Sequence, residues 1–203
     1  MLVIGVTGNF GTGKSTVCQV MAELGATVIN ADELGHELLQ SDGQAYNELI
    51  AAFGDSILKK NKEIDRKKLA ELAFQNSNTR ARLNDIMHPK MYKIVQDRIE
   101  QYRRRGERVV VLEAALLLEA GWKPLVNQVW VTTVPEAVIV DRLKNQRGFN
   151  EEQILARLHT QMPSEEKIKY ADVVINTDCS REELKAKVTR MWQKLQPAIE
   201  RSS

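Results

Sequence analysis

Apolar residues along the chain fall into two patterns, which together predict the fold class. Short runs rich in Val, Ile and Leu are typical of strands that are buried on both faces. Between most of these runs, apolar residues recur every three or four positions, as they do in amphipathic helices. The predicted strands are Leu2–Thr7, Ala26–Asn30, Arg108–Glu113, Val129–Thr132 and Ala171–Asn176. The alternation predicts an α/β protein of three layers, with helices on both faces of a five-stranded parallel sheet.

The residues between the first predicted strand and the first predicted helix match the phosphate-binding motif G-x-x-x-x-G-K-[ST] at every fixed position. The matching loop consists of Gly8, Asn9, Phe10, Gly11, Thr12, Gly13, Lys14, Ser15 and Thr16. Its glycines allow positive φ angles, so that successive N–H groups and the helix N-terminus can face the same phosphate oxygens. We expect Lys14 to reach the β- and γ-phosphates, Ser15 to bind Mg²⁺, and Thr16 to lie beside the α-phosphate. A chance glycine-rich turn is the alternative, and the strand and helix that flank the loop argue against it.

The alternation of strand and helix stops over residues 41–106, where the pattern predicts four helical segments in succession. His88 and Pro89 interrupt this region, and we expect Pro89 to begin the last of the four helices. A crossover between parallel strands needs only one helix. We therefore predict a helical substrate-binding insertion at 41–106, within a nucleotide-binding core formed by 1–40 and 107–203.

Two acidic residues come at the ends of predicted strands. Ligands of open α/β sheets bind outside the carboxyl ends of the strands, so Asp32 is a candidate catalytic residue there. Asp32 also suits the N-cap of the next helix, and the two roles are compatible. Glu113 ends the third strand in the place of a Walker-B acid, where it could hold Mg²⁺ through water. A Glu that only caps the following turn fits the sequence equally well.

Two arginines, Arg142 and Arg147, lie near the end of a helix that Gly148 breaks. A capping box formed by Asn150 and Gln153 begins the next helix. This pattern favours a small lid over residues 142–162 that brings cationic groups onto the transferring phosphates as it closes. Ordinary surface arginines are the alternative.

Composition and charge argue against several other classes of function. A net charge of +2 over 203 residues lacks the basic excess of a nucleic-acid-binding protein. Cys18 and Cys179 are far apart and form no metal or redox motif. No apolar run approaches a membrane span and no secretory signal is present, so we expect a cytoplasmic protein without a membrane partner. No Asn-Lys-x-Asp sequence occurs, which argues against a regulatory GTP-binding switch.

The motifs in this order resemble the dephospho-coenzyme A kinase family nearly from end to end. The resemblance is carried by Gly5–Thr16, Val28–Asp32, His88 with Pro89, Leu116–Glu119, Arg142 with Arg147, Gln161 with Lys167, and Ala171–Asn176. The phosphate-binding loop alone is shared by a whole superfamily, whereas the combination is specific. The resemblance implies a P-loop NTPase fold and the phosphorylation of the ribose 3′-hydroxyl of dephospho-CoA by ATP with Mg²⁺, the last step of coenzyme A biosynthesis.

The resemblance also implies roles for individual residues. Asp32 would orient the hydroxyl and accept its proton late in the reaction, while Lys14 and the lid arginines stabilise the transferring charge. Two positions depart from the family pattern. Ala115 stands where Pro is common, and Asn30 stands where many members have Asp. The change at Asn30 matters only if the family uses a pair of acids.

Two other functions share most of these features. A kinase of nucleosides or nucleotides would have the same loop, sheet and lid, and would differ in the helical insertion that binds the acceptor. A non-catalytic nucleotide-binding protein would keep the fold without needing Asp32 or the lid arginines. No motif defines an oligomeric state, and we expect a monomer.

Overall fold

The computed structural model describes the backbone of residues 1–201. It describes all side chains in this range except those of Phe74, Gln75, Gln146, Arg147, Gln196, Ala198, Glu200 and Arg201. Contacts divide the chain into two compact units. We call them the sheet unit, which contains Met1–Asn30 and the chain from Arg98 onward, and the helical unit, which is Ala31–Asp97. Among the described residues, no helix combines the length and the apolar character that crossing a membrane requires.

The sheet unit is built on five parallel strands in the order β2-β3-β1-β4-β5. The strands are β1 (Leu2–Thr7), β2 (Thr27–Asn30), β3 (Val109–Glu113), β4 (Gln128–Thr133) and β5 (Val173–Asn176). Every residue of β1 and β3 is buried, because helices cover both faces of the central strands. The prediction of an α/β fold with a five-stranded parallel sheet is confirmed.

Helices alternate with the strands in the sheet unit and follow one another in the helical unit. They are α1 (Lys14–Glu23), α2 (Ala31–Leu38), α3 (Tyr46–Phe53), α4 (Arg66–Gln75), α5 (Ser77–Arg104), α6 (Glu136–Arg147), α7 (Glu151–Leu158), α8 (Ser164–Ile168) and α9 (Arg181–Arg201). The predicted capping box of α7 is present, with Asn150 accepting from the Gln153 backbone and Gln153 accepting in return. Short 3₁₀ turns lie at Asp55–Ile57 and Lys123–Leu125.

The main core of the sheet unit joins β1 and its neighbours to α1 and α9. Val17 and Met21 of α1 meet Trp130 of β4 and Trp192 of α9, all of them buried. Full burial of an apolar side chain contributes about 1.5–3 kcal/mol each. Trp192 is therefore a core residue, as its helical spacing predicts.

The helical unit has its own apolar core, which includes Leu38, Leu49, Ile57 and Met87. The prediction of a helix break at His88 and Pro89 was wrong, because α5 is continuous from Ser77 to Arg104 with Pro89 inside it. Proline in a helix interior removes one backbone hydrogen bond. The apolar face that α5 packs into this core, with Met87 on one side of the proline and Met91 and Ile94 on the other, keeps the helix whole.

Candidate active site

The loop after β1 has the backbone shape of an anion-binding loop. Gly8, Gly11 and Gly13 have φ angles of 148°, 81° and 82°, a region that side chains other than glycine rarely adopt. A Cβ atom at Gly8 would also collide with Thr132 of β4. The first turn of α1 has no acidic residue and no side-chain cap. Its N–H groups therefore remain available to a phosphate.

Lys14 lies across this loop. Its Nζ atom donates to the carbonyl oxygens of Gly8 at 3.0 Å and Asn9 at 3.1 Å. These two carbonyls hold the ammonium against the backbone of the loop. The loop thus combines a fixed positive charge with oriented backbone dipoles.

Ser15 and Glu113 are brought together although they lie 98 positions apart in the sequence. Ser15 Oγ donates to Glu113 Oε1 at 2.6 Å, and Glu113 is 9% exposed at the carboxyl end of β3. Register pairs Glu113 with Val6 of β1 and with Asn30 of β2. Glu113 therefore contacts the loop through Ser15, and its role as a Walker-B acid stays a prediction.

The residues around Ser15 and Glu113 fit Mg²⁺. Both supply oxygen atoms, the ligands that Mg²⁺ prefers. Among the described residues, no group of three or more His, Cys, Asp or Glu side chains could hold a metal by itself. Mg²⁺ in kinase sites keeps several waters and is bound by one or two carboxylates together with substrate phosphates.

Cys18 lies on α1 beside these residues and is 2% exposed. Burial raises the pKa of its thiol well above the usual value, and the nearby Glu113 carboxylate raises it further. Such a thiol stays protonated and unreactive. The interpretation of Cys18 as a structural residue fits this environment.

Two buried threonines that were not predicted from the sequence, Thr132 and Thr177, bind Thr12 of the loop. The hydroxyls of Thr12 and Thr132 are 2.7 Å apart, and Thr177 Oγ1 donates to the Thr12 carbonyl at 2.9 Å. Thr132 comes from β4 and Thr177 follows β5, so both extend the loop's support across the sheet. The sequence does carry a signal for these two residues, because each is a polar residue at the carboxyl end of an apolar strand, where ligands of such sheets bind.

Arg142 of α6 is held close to the same loop. Its Nη2 atom donates to the Thr177 carbonyl at 2.7 Å, and Nη1 donates to Thr177 Oγ1 at 3.4 Å. Since Thr177 is bonded to Thr12, a chain of two contacts connects Arg142 with the loop. The side chain of Arg147 lies outside the described residues; its backbone ends α6.

Asp32 belongs to the helical unit. It is the second residue of α2, which begins at Ala31, so the N-cap role proposed from the sequence was wrong. Its carboxylate is in the first helical turn, where negative charge interacts favourably with the helix dipole. The side chain is exposed to solvent.

A phosphate-binding loop between β1 and α1, on a parallel sheet of this order, defines a P-loop kinase. The family profile of dephospho-CoA kinase matches residues 2–183. The dephospho-CoA kinase of Dehalococcoides mccartyi is 42% identical over 186 residues, which are 92% of this chain and 93% of that protein. The chain belongs to the dephospho-CoA kinase family, whose members catalyse the final step of coenzyme A biosynthesis.

Solved structures agree with this assignment. The dephospho-CoA kinase of Campylobacter jejuni superimposes with a TM-score of 0.71 at 27% identity, over 97% of this chain and 98% of that one. A crystal structure of a protein from Thermus thermophilus reaches a TM-score of 0.79 at 29% identity, over 96% and 98% of the two chains. The similarity therefore covers both units of the chain.

Proposed function

We propose that this chain transfers the γ-phosphoryl group of ATP to the ribose 3′-hydroxyl of dephospho-CoA in the cytoplasm. The observation that carries the proposal is the loop itself, in a member of this family. Gly8, Gly11 and Gly13 have the backbone angles of a phosphate cradle, and Lys14 is held across it. Phosphoryl transfer leaves the protein little covalent work, so such a site acts by positioning and by stabilising charge.

In this proposal, the loop and α1 bind the triphosphate. The N–H groups that follow Gly13, at the start of α1, bind phosphate oxygens, and Thr16 lies beside the α-phosphate. The Gly8 and Asn9 carbonyls place the Lys14 ammonium, which binds the β- and γ-phosphates. Its charge then offsets the negative charge on the oxygens of the transferring group.

Ser15 and Glu113 would hold Mg²⁺, Ser15 directly and Glu113 through water. When bound there, Mg²⁺ would neutralise part of the phosphate charge. The hydroxyl and the carboxylate already face each other at 2.6 Å, so both oxygens point into one small region. Removal of either side chain should weaken the binding of Mg²⁺ and leave the fold intact.

Arg142 and Arg147 would contribute positive charge from the lid. The contact of Arg142 with Thr177 keeps its guanidinium next to the loop before the transfer. Arginine suits this role because its planar fork can bind two phosphate oxygens at once. We assign Arg147 on its place at the end of α6.

Asp32 would orient the 3′-hydroxyl and accept its proton, and the helices that follow it would bind the rest of the acceptor. Carboxylates are weak bases for an alcohol, so the proton moves late, once the bond to phosphorus has begun to form. The predicted insertion, residues 41–106, overlaps most of the helical unit Ala31–Asp97. We propose this unit as the part that selects dephospho-CoA.

The proposal is tested by measuring ADP release from MgATP with dephospho-CoA, adenosine and AMP in parallel reactions. The product must then be examined for a new 3′-phosphate. Turnover with dephospho-CoA alone supports the proposal. Turnover with adenosine or AMP instead would assign the chain to a different acceptor, and no turnover with any acceptor would contradict a catalytic role.

A further inference from the structure

We propose that Gln161 is a positioning residue, which sets the place of the Lys14 ammonium by orienting the peptide group between Asn9 and Phe10. The proposal rests on the proposed function, because that function assigns Lys14 to the nucleotide phosphates. Gln161 follows α7 and lies 151 positions along the chain from Phe10. Gln161 belongs with Lys167 to the pattern that carries the family resemblance, and that pattern gives it no contact with the loop.

The peptide group between Asn9 and Phe10 is held at both of its polar atoms. On one side, the Phe10 N–H donates to Gln161 Oε1 at 2.8 Å. On the other, the Asn9 carbonyl accepts from Lys14 Nζ at 3.1 Å, from the Thr12 N–H at 3.2 Å and from Thr12 Oγ1 at 2.8 Å. Because a peptide group is planar, the bond to Gln161 also determines where the Asn9 carbonyl points.

Gln161 is itself fixed by a buried ion pair next to it in the chain. The Met162 N–H donates to Glu119 Oε1 at 2.9 Å, and the same oxygen accepts from Lys167 Nζ at 2.8 Å. Lys167 also donates to the Ala115 carbonyl at 2.7 Å and is fully buried. An ion pair in such surroundings is costly to break, so the segment that carries Gln161 is firmly placed.

The ion pair connects back to the strand that precedes the loop. The Ala115 carbonyl, which binds Lys167, also accepts from Thr7 Oγ1 at 3.2 Å. Thr7 is the last residue of β1. The segment that carries Gln161 is therefore connected by hydrogen bonds to the end of β1, and Gln161 holds the loop at a defined distance from that strand.

The Phe10 side chain is held separately, by residues of the lid. Its ring packs edge-on against Phe149 with 5.5 Å between ring centres, and the guanidinium of Arg157 lies 5.0 Å from its centre. These contacts keep the ring in place when the bond to Gln161 is lost. Substitution of Gln161 should therefore turn the peptide group without unfolding the loop.

The test compares two substitutions of the same kind in the sheet unit. Gln161→Met keeps the length of the side chain and removes the acceptor for the Phe10 N–H. The matched control, Gln128→Met, removes the acceptor for Trp130 Nε1, which donates at 3.0 Å to Gln128 Oε1 at the opposite end of the sheet. Gln161→Asn, whose amide is one methylene too short, serves as a second variant if Gln161→Met does not fold.

We expect the affinity for MgATP and the value of kcat to fall about 3- to 10-fold in Gln161→Met, the effect of one lost hydrogen bond. The KM for dephospho-CoA and the thermal midpoint should stay near those of Gln128→Met. Equal MgATP affinity in the Gln161 variants and the control would overturn the proposal. This binding measurement needs no turnover, so it tests the positioning role of Gln161 even if the proposed reaction is wrong.

A double-mutant cycle on MgATP binding tests whether Gln161 acts through Lys14. In a Lys14→Met background, addition of Gln161→Met should have no further effect, because no ammonium remains to be positioned. A merely structural role would weaken binding by the same factor in both backgrounds. Such additivity would contradict the proposal.

Discussion

At the scale of single residues, the site depends on side chains whose place is set by partners far away in the sequence. Ser15 meets Glu113 across 98 positions, and Arg142 meets Thr177 across 35. None of these partners could be read from the loop motif. Each of them can be changed separately, which makes the assigned roles separable by experiment.

The role of Asp32 is tested by Asp32→Asn, which keeps the shape of the side chain and removes its charge. We expect kcat to fall by roughly 10²- to 10⁴-fold, the range of general-base catalysis, with little change in the affinity for ATP. The control is Glu33→Gln, the next residue of α2 and also in its first turn. A near-normal kcat in Asp32→Asn would remove the assignment as base.

The role of Ser15 is tested by the dependence of activity on Mg²⁺. Ser15→Ala removes the hydroxyl that faces Glu113. We expect the Mg²⁺ concentration for half-maximal activity to rise roughly 10-fold or more, as when a metal loses one supporting group. Ser56→Ala removes a hydroxyl on an exposed turn and should leave that concentration unchanged. An unaltered requirement in Ser15→Ala would count against the metal site.

At the scale of secondary-structure elements, the chain uses local capping where a helix must begin at a defined residue. Asn150 and Gln153 begin α7, and Ser180 and Glu183 pair in the same way before α9. Helix α7 packs with α6 through a small apolar cluster that includes Ile139 of α6 and Ile154 of α7. The capping box therefore determines where α7 begins, and apolar packing determines where it lies.

Asn150→Ala should loosen the beginning of α7. Loss of a capping side chain costs about 1 kcal/mol, so amide exchange within α7 should quicken several-fold. Exchange within α9 should stay unchanged, whereas Ser180→Ala as the matched variant should show the reverse pattern. Equal exchange rates in the wild type and in Asn150→Ala would contradict a capping role.

The Arg66 guanidinium at the start of α4 donates a hydrogen bond to Nε2 of His36 in α2. Burial and the charge of this guanidinium lower the pKa of the His36 imidazole below 6.5. Above pH 6.5 the folded and unfolded states both carry a neutral ring. Below it the unfolded state binds a proton that the folded state does not, so stability falls as the pH falls towards the folded pKa. The thermal midpoint should drop less between pH 7.5 and pH 5.5 in His36→Gln than in the wild type, and equal drops would contradict this.

At the scale of the whole molecule, nucleotide binding should raise the free energy of unfolding and therefore the thermal midpoint. A ligand present at about 100 times its Kd adds about 2.7 kcal/mol, which corresponds to roughly 5–10 °C in the midpoint of a domain of this size. Lys14→Ala should lose most of this shift with MgATP, because the ammonium over the loop is removed. Lys185→Ala, which breaks only an exposed pair with Glu23, should keep it. A full shift in Lys14→Ala would argue against the assigned role.

Much of the fold could be predicted because it follows from local chemistry. The five strands are continuous apolar runs, and the glycines of the loop adopt the positive φ angles that the motif requires. The prediction failed at Pro89, where local propensity favours a break and packing of α5 into the core of the helical unit overrides it. Propensity is a weak guide wherever tertiary contacts compensate for a lost hydrogen bond.

The sequence by itself determined that this chain has a phosphate-binding loop on a parallel sheet, and its motifs indicated the family. These features depend on neighbouring residues, whose backbone angles and spacing can be read directly. Only the tertiary structure decided which groups support the loop, such as Thr177 behind Thr12 and Gln161 at Phe10. The partners are 165 and 151 positions apart, and no local pattern encodes contacts that exist only once the sheet has brought its strand ends together.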